Sequence, residues 1–241
     1  MKICKSAVSL VTVFALFSGL YATTVRDVDG NVYNIVAIGS LEWTAENART
    51  TRYNCGTPLP QVKAIEEWNE LSTPAFSYYN NTTDRDSIEK FGALYNWWVV
   101  STENPRQIAP KGWRVPTDDD WDVLANYLVD NGHNWDQTTS GFKIGSALAS
   151  SAGVWSSHGE TGDVGNDQRS NNSSGFAAVP AGSRCYFGHF DGMRRLGYWW
   201  SSTERSETFA FFRYVTYRKG DFFRESIDKG HAFSLRFVRD R

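Results

Sequence analysis

The chain has 241 residues, with 25 basic and 27 acidic side chains, a formal charge of −2 at neutral pH and 15% aromatic residues. A mildly acidic, well-mixed chain lacks the basic patch or stripe that holds nucleic acid, so nucleic acid is excluded as a partner. All ten tryptophans fall between Trp43 and Trp200, which points to a single aromatic-rich core rather than two small ones.

Residues 1–22 read as a signal peptide. Lys2 and Lys5 precede the apolar run 7–20, and Ala22 supplies a small residue for cleavage. The run is shorter than the roughly 20 residues of a membrane span. The expectation is export to the cell surface, the extracellular space or the periplasm, with a retained N-terminal anchor as the alternative. Met1 to Ala22 holds two lysines and no acid, so the remainder carries 23 basic against 27 acidic residues. No later run is apolar enough to cross a bilayer. Residues 23–30 form a short N-terminal segment, and 31–241 are expected to make a single domain.

Residues 32–38 predict a strand, with Gly39-Ser40 turning into Leu41-Glu42-Trp43. Residues 61–71 predict a short helix, 80–86 a polar turn, and 87–100 a helix through Ile88, Phe91, Leu94 and Tyr95, with Gly92 weighing against it. The best-marked element is 117–129. Thr117 is a strong N-cap, Asp118, Asp119 and Asp120 place negative charge on the helix N-terminus, and Trp121, Leu124, Ala125 and Leu128 form one apolar stripe. Asn131-Gly132 ends it. The three aspartates therefore read as capping residues, not a metal site.

Residues 150–175 are rich in Gly, Ser and Asn and predict a long surface loop, a class of segment that is often functional. Strands follow at 176–179, 198–201, 208–217 and 232–239. In the last, Phe233, Leu235 and Phe237 alternate with Ser234 and Arg236, the pattern of a half-buried strand. The fold class is α+β.

Three groups of residues could carry chemistry. In the 160s, Glu160, Asp163, Asn166, Asp167, Asn171 and Asn172 are closely spaced oxygen donors. Calcium held by Asp163, Asn166 and Asp167 stands beside a simply solvated loop as the reading of that segment. Export leaves Cys55 and Cys185 in an oxidising compartment, where a Cys55–Cys185 disulfide is expected over two free thiols. Tyr186, Phe187, His189, Phe190 and Trp199, with Arg184 and Arg194 among them, are the residue types that dominate binding hot spots and stack on sugar faces. They form the candidate ligand-binding set, with burial in the core as the alternative for these rings and the expected reading for Trp199. No His-x-x-x-His, nucleophile elbow or phosphate loop is present, so no catalytic residue is assigned.

Several runs, in order, resemble the Fibrobacter succinogenes major paralogous domain. They are Trp43-Thr44-Ala45-Glu46-Asn47 and its continuation to Asn54, Gly92-Ala93-Leu94-Tyr95-Asn96-Trp97, and Pro110-Lys111-Gly112-Trp113-Arg114-Val115-Pro116-Thr117. The later ones are Gly175-Phe176-Ala177-Ala178-Val179, Gly197-Tyr198-Trp199-Trp200-Ser201-Ser202, and Phe233-Ser234-Leu235-Arg236-Phe237. The resemblance implies a C-type-lectin-like fold, related to the formylglycine-generating (sulfatase-modifying) branch: a twisted antiparallel sheet with flanking helices, neighbouring termini and long loops on one side. It confers no chemistry. That branch places copper-holding cysteines near the last strand, and residues 208–241 contain none. The calcium-lectin triplets Glu-Pro-Asn, Gln-Pro-Asp and Trp-Asn-Asp are also absent. Members of the family often carry a cysteine near the position of Phe237, so Cys55 and Cys185 depart from the pattern.

The expected function is an exported, non-catalytic binding or adhesion module that contacts polysaccharide or protein at the cell surface. An enzyme descended from the formylglycine-generating branch and a structural surface protein are the alternatives.

Overall fold

A computed structural model describes residues 24–241. The signal-peptide reading of residues 1–22 lies outside the described residues. Strands β1 (Thr24–Arg26), β2 (Val32–Ile38) and β3 (Leu41–Thr44) run antiparallel, with β2 and β3 joined through the Gly39-Ser40 turn. Then come α1 (Ile65–Asn69), β4 (Phe76–Ser77), α2 (Arg85–Phe91), β5 (Leu94–Asn96), α3 (Asp118–Asp130) and α4 (Gly145–Leu148). The second half is β6 (Ala181–Arg184), β7 (Phe190–Met193), β8 (Leu196–Glu204), β9 (Phe209–Thr216), β10 (Phe223–Asp228), β11 (Ala232–Phe233) and β12 (Val238–Asp240). The architecture is α+β. Three sheets are ordered β1-β2-β3-β12, β10-β9-β8 and β4-β5-β11-β6-β7, so the first and last described strands share one sheet.

Helix α3 forms as its sequence dictates. Thr117 accepts from the Asp120 backbone N–H at 3.1 Å and Asp120 accepts from the Thr117 N–H at 2.8 Å, a closed capping box. Asp118 has a further partner set: its carboxylate takes Arg213 Nη2 at 2.7 Å and Arg224 Nε at 2.7 Å, pinning the helix start to β9 and β10. The expected stripe of Trp121, Leu124, Ala125 and Leu128 is fully buried.

Two predicted helices shorten. Only five residues of 61–71 are helical, because Gln61 and Val62 pair with Phe76 at a sheet edge instead. The 87–100 helix stops at Gly92, where φ is +77° and a Cβ would lie 2.7 Å from the Ala48 carbonyl oxygen. Beyond it the chain enters β5 and then a 3-10 turn at Trp97–Val99. The segment 176–179 makes a single parallel bridge, Ala149 to Ala178, rather than a strand. The hairpin β6–β7 and strand β10 have no counterpart in the sequence expectation.

The closing segment is the clearest departure. Residues 232–239 divide into β11 and β12, and Ser234 and Arg236 are as fully buried as Phe233, Leu235 and Phe237. Arg236 is satisfied by carbonyls: Nη1 donates to Thr44 O at 2.7 Å and Phe176 O at 2.9 Å, and Nη2 to Ala177 O at 3.1 Å. Its Nε donates to Asn47 Oδ1 at 2.8 Å, and that same oxygen accepts from Trp199 Nε1 at 2.9 Å. Burial without a carboxylate partner lowers the Arg236 pKa to about 9. Four of the sequence runs described above thus meet at one buried polar knot.

Trp199 and Trp200 are both completely buried, and successive strand side chains send them to opposite faces. Trp199 joins the cluster of Trp43, Trp121 and Phe176; Trp200 joins that of Tyr95, Phe212 and Phe233. A third, smaller cluster centres on Trp68 and Ala181. Burying a tryptophan removes about 150–250 Å² from water, roughly 4–6 kcal/mol at ~25 cal/mol per Å² before entropy is subtracted. The tandem tryptophan therefore works as a rivet between two clusters.

Candidate functional site

Two surfaces present exposed aromatic side chains, one a pair of rings and the other a single tryptophan. The first is the tip of the β6–β7 hairpin. Cys185 N donates to His189 O and Gly188 N to Cys185 O, each at 2.8 Å, which makes a tight turn with Tyr186 and Phe187 at its apex. Tyr186 is 39% and Phe187 53% exposed, and their rings touch at a tilt of 36° with centroids 3.8 Å apart. His231 backs Tyr186 at 5.3 Å, and burial lowers its pKa below the usual 6.5. Beside the pair is a hollow of about 260 Å³ lined by Trp68, Leu71, Trp98 and Lys229.

The structure separates the sequence-predicted ligand set. His189 is exposed on this tip, and Phe190 is half-buried against Tyr79 at 5.4 Å. Arg184 is not a ligand contact: it is 0% exposed, and its guanidinium donates to the carbonyls of Gly188, Val62, Lys63 and Ala64. It lies over Trp68 at 4.3 Å and fastens the tip to the loop before α1. Burial lowers its pKa to about 10. Trp199 is likewise removed from the surface, because its ring fills the core. Arg194 is exposed but sits at the far end of β7, in a turn with φ +65°.

The second surface is a cleft of about 620 Å³ between residues 131–137 and 161–173. His133 Nδ1 and Ser173 Oγ, 2.8 Å apart, tie its walls together. Trp135, 41% exposed, lies in the lining. Its loop is held from below by the buried Asn134, whose side chain bonds Thr138 O, Gly141 O and the Lys143 N–H. Lys143 pairs with Asp136 and lowers that carboxyl to about 2. The oxygen donors of the 160s mark one wall of this cleft in the sequence, and the Trp135 wall has no such pattern. The available signal was Trp135 itself, the one large apolar side chain between Val129 and Phe142.

Asp163, Asn166 and Asp167 all line the cleft, and both carboxylates already have protein partners. Asp163 Oδ2 is engaged by His158 Nδ1, and Asp167 Oδ2 accepts from Ser170 Oγ at 2.6 Å. Asn171 is turned inward to donate to Val164 O at 3.1 Å. Among the described residues no three His, Cys, Asp or Glu side chains converge to hold a metal ion. Nor is the 150–175 segment merely a surface loop, since Val154, Trp155 and Val164 anchor it in the core.

The expected disulfide is absent: Cys55 and Cys185 are both free thiols. Each belongs to a tight turn of its own. Tyr53 N donates to Thr57 O at 2.9 Å around Cys55, whose Sγ lies 3.3 Å from Thr57 Oγ1, while Cys185 opens the hairpin tip. The Thr57 hydrogen bonds lower the Cys55 pKa.

No described helix is long and apolar enough to cross a membrane. Residues 36–239 match the family model described as the Fibrobacter succinogenes major domain. No curated protein and no solved structure matches the chain.

Proposed function

This chain belongs to the Fibrobacter succinogenes major domain family, and from that premise we propose that it is an exported, non-catalytic binding module that contacts polysaccharide or protein at the cell surface. The observation that carries the reading is the Tyr186–Phe187 pair. Among the described residues eight of the ten tryptophans are buried, yet these two rings lie against each other in solvent at the apex of a hairpin. Arg184 holds that apex from beneath with four carbonyl contacts, so the rings are presented with little ordering cost on binding. Exposed aromatic anchors on a rigid support are the hallmark of interface hot spots.

The C-type-lectin-like architecture belongs to the same proposal. It is supported by the sheet that holds both the first and last described strands and by the long 150–175 segment beside α3 and α4. A pull-down on isolated cell-wall material tests the reading. Tyr186→Ala with Phe187→Ala should abolish retention, whereas Phe209→Ala, an exposed ring on β9, should leave it unchanged.

A further inference from the structure

We propose that the Trp135 cleft is a binding site for an uncharged oligosaccharide. The inference rests on the binding-module reading but assigns a different surface from the hairpin tip. Other hollows of similar volume exist, such as the one between Gly30 and Glu89 at about 610 Å³. What distinguishes the cleft is its lining. Trp135 and Ala147 are its only apolar side chains. Around them stand the amides of Asn131, Gln137 and Asn166 and the hydroxyls of Thr161, Ser170 and Ser173. A flat ring edged by hydrogen-bonding groups matches a pyranose, which has one apolar face and a rim of hydroxyls.

Charge narrows the class. No Lys or Arg lines the cleft, whereas Asp163 and Asp167 do. An anionic sugar ring stacked on Trp135 would face two carboxylates and neither Lys nor Arg, since Arg169 enters only in the hollow beyond Asn166 and Asp167. The platform itself is prebuilt. Trp135 packs against the backbone of Gly162 and Gly220, where an added Cβ would fall 2.4 Å from ring atoms in each case. Only glycine at both positions lets the indole lie there. Asn134 fixes the loop that carries the ring, and the His133–Ser173 contact sets the spacing of the walls.

The length of the ligand follows from an adjoining hollow. A second depression lined by Ser151, Gly153 and Arg169 shares Asn166 and Asp167 with the cleft. The two meet along that edge, so the surface accommodates a chain of sugars running past Trp135 rather than one ring.

Titration calorimetry of the full chain against uncharged hexose and pentose oligosaccharides, with uronic-acid oligosaccharides alongside, tests this. At least one uncharged oligosaccharide should bind, and the uronic-acid set should bind more weakly. Trp135→Ala should weaken the interaction about tenfold or more. Asn166→Ala, on the exposed opposite rim, should weaken it as well without touching the fold, and an unchanged unfolding midpoint guards against a Trp135→Ala variant that has merely collapsed. The proposal is overturned if no uncharged oligosaccharide binds, if binding survives both substitutions, or if acidic sugars bind better. Binding lost through Tyr186→Ala and Phe187→Ala but kept in Trp135→Ala would also overturn the cleft while leaving the module reading intact.

Discussion

Asn47 Oδ1 accepts the Nε hydrogen of the fully buried Arg236 at 2.8 Å, across 189 residues of chain. Because the same oxygen accepts from Trp199 Nε1 and the Asn47 amide donates to Phe91 O and Ser234 Oγ, one side chain joins the beginning, middle and end of the fold. Asn47→Ala would leave two buried donors without a partner. The expected loss is about 3–5 kcal/mol of unfolding free energy, read from denaturant titration. Arg236→Lys should fare little better, since an ammonium cannot reproduce a fork that reaches Thr44, Phe176 and Ala177 together.

The buried ion cluster at the start of α3 behaves asymmetrically. Arg213 and Asp118 are 1% and 8% exposed at their side chains, while Arg224, on the same carboxylate, is 45% exposed. Asp118→Ala should cost about 1–3 kcal/mol, because it takes one of two carboxylates from the buried Arg213 and leaves Asp122 Oδ1 at 2.8 Å. Arg224→Ala should cost only about 0–1 kcal/mol, as for other solvent-screened pairs. Equal effects would contradict the assignment of Arg213 as the buried partner.

Stability should fall at both ends of the pH scale for opposite reasons. Burial raises the Tyr198 pKa from 10.0 to about 12 and shifts Tyr33 and Tyr95 the same way, so the folded state retains phenolic protons that the unfolded chain releases. That contribution is complete below pH 10 and is lost as the pH climbs towards 12. His231 shifts downward from 6.5, so its contribution is complete above that value and is lost as the pH falls below it. The last part of the phenolate absorbance should appear only together with unfolding at alkaline pH. Full phenolate absorbance reached while the protein stays intact would contradict the burial of these rings.

The thiols give an independent check on the fold. Both should react with a maleimide without prior reduction, Cys55 first because it is exposed and its pKa is lowered by Thr57. Peptide mass spectrometry would show a Cys55–Cys185 cross-link if the two turns were in fact adjacent.

Local signals carried as far as local physics reaches. The α3 cap, its aspartates and its apolar stripe lie within a dozen residues, and they form the helix in any tertiary setting that buries the stripe. Residues 232–239 kept their alternation but not its consequence, because Asn47, Thr44 and Phe176, far away in sequence, supply partners that let Arg236 be buried. Residues 61–71 lost helix to a sheet edge at Phe76, and 87–100 ends its helix at Gly92 and continues as β5 inside that sheet. Arg184 read as a ligand contact because its carbonyl partners at 62–64 are about 120 positions distant. The Trp135 wall of the cleft escaped notice for the same reason: the two walls are brought together only by the folded chain.

Binding remains the central claim, and a glycan array probed with the full chain, the Tyr186→Ala/Phe187→Ala variant and Trp135→Ala tests it most directly. The expected result is a reproducible signal for the unmodified chain on one class of glycan, lost when an exposed aromatic surface is removed while the unfolding midpoint stays put. A signal no greater than that of a denatured control, together with no retention on cell-wall material, would contradict it.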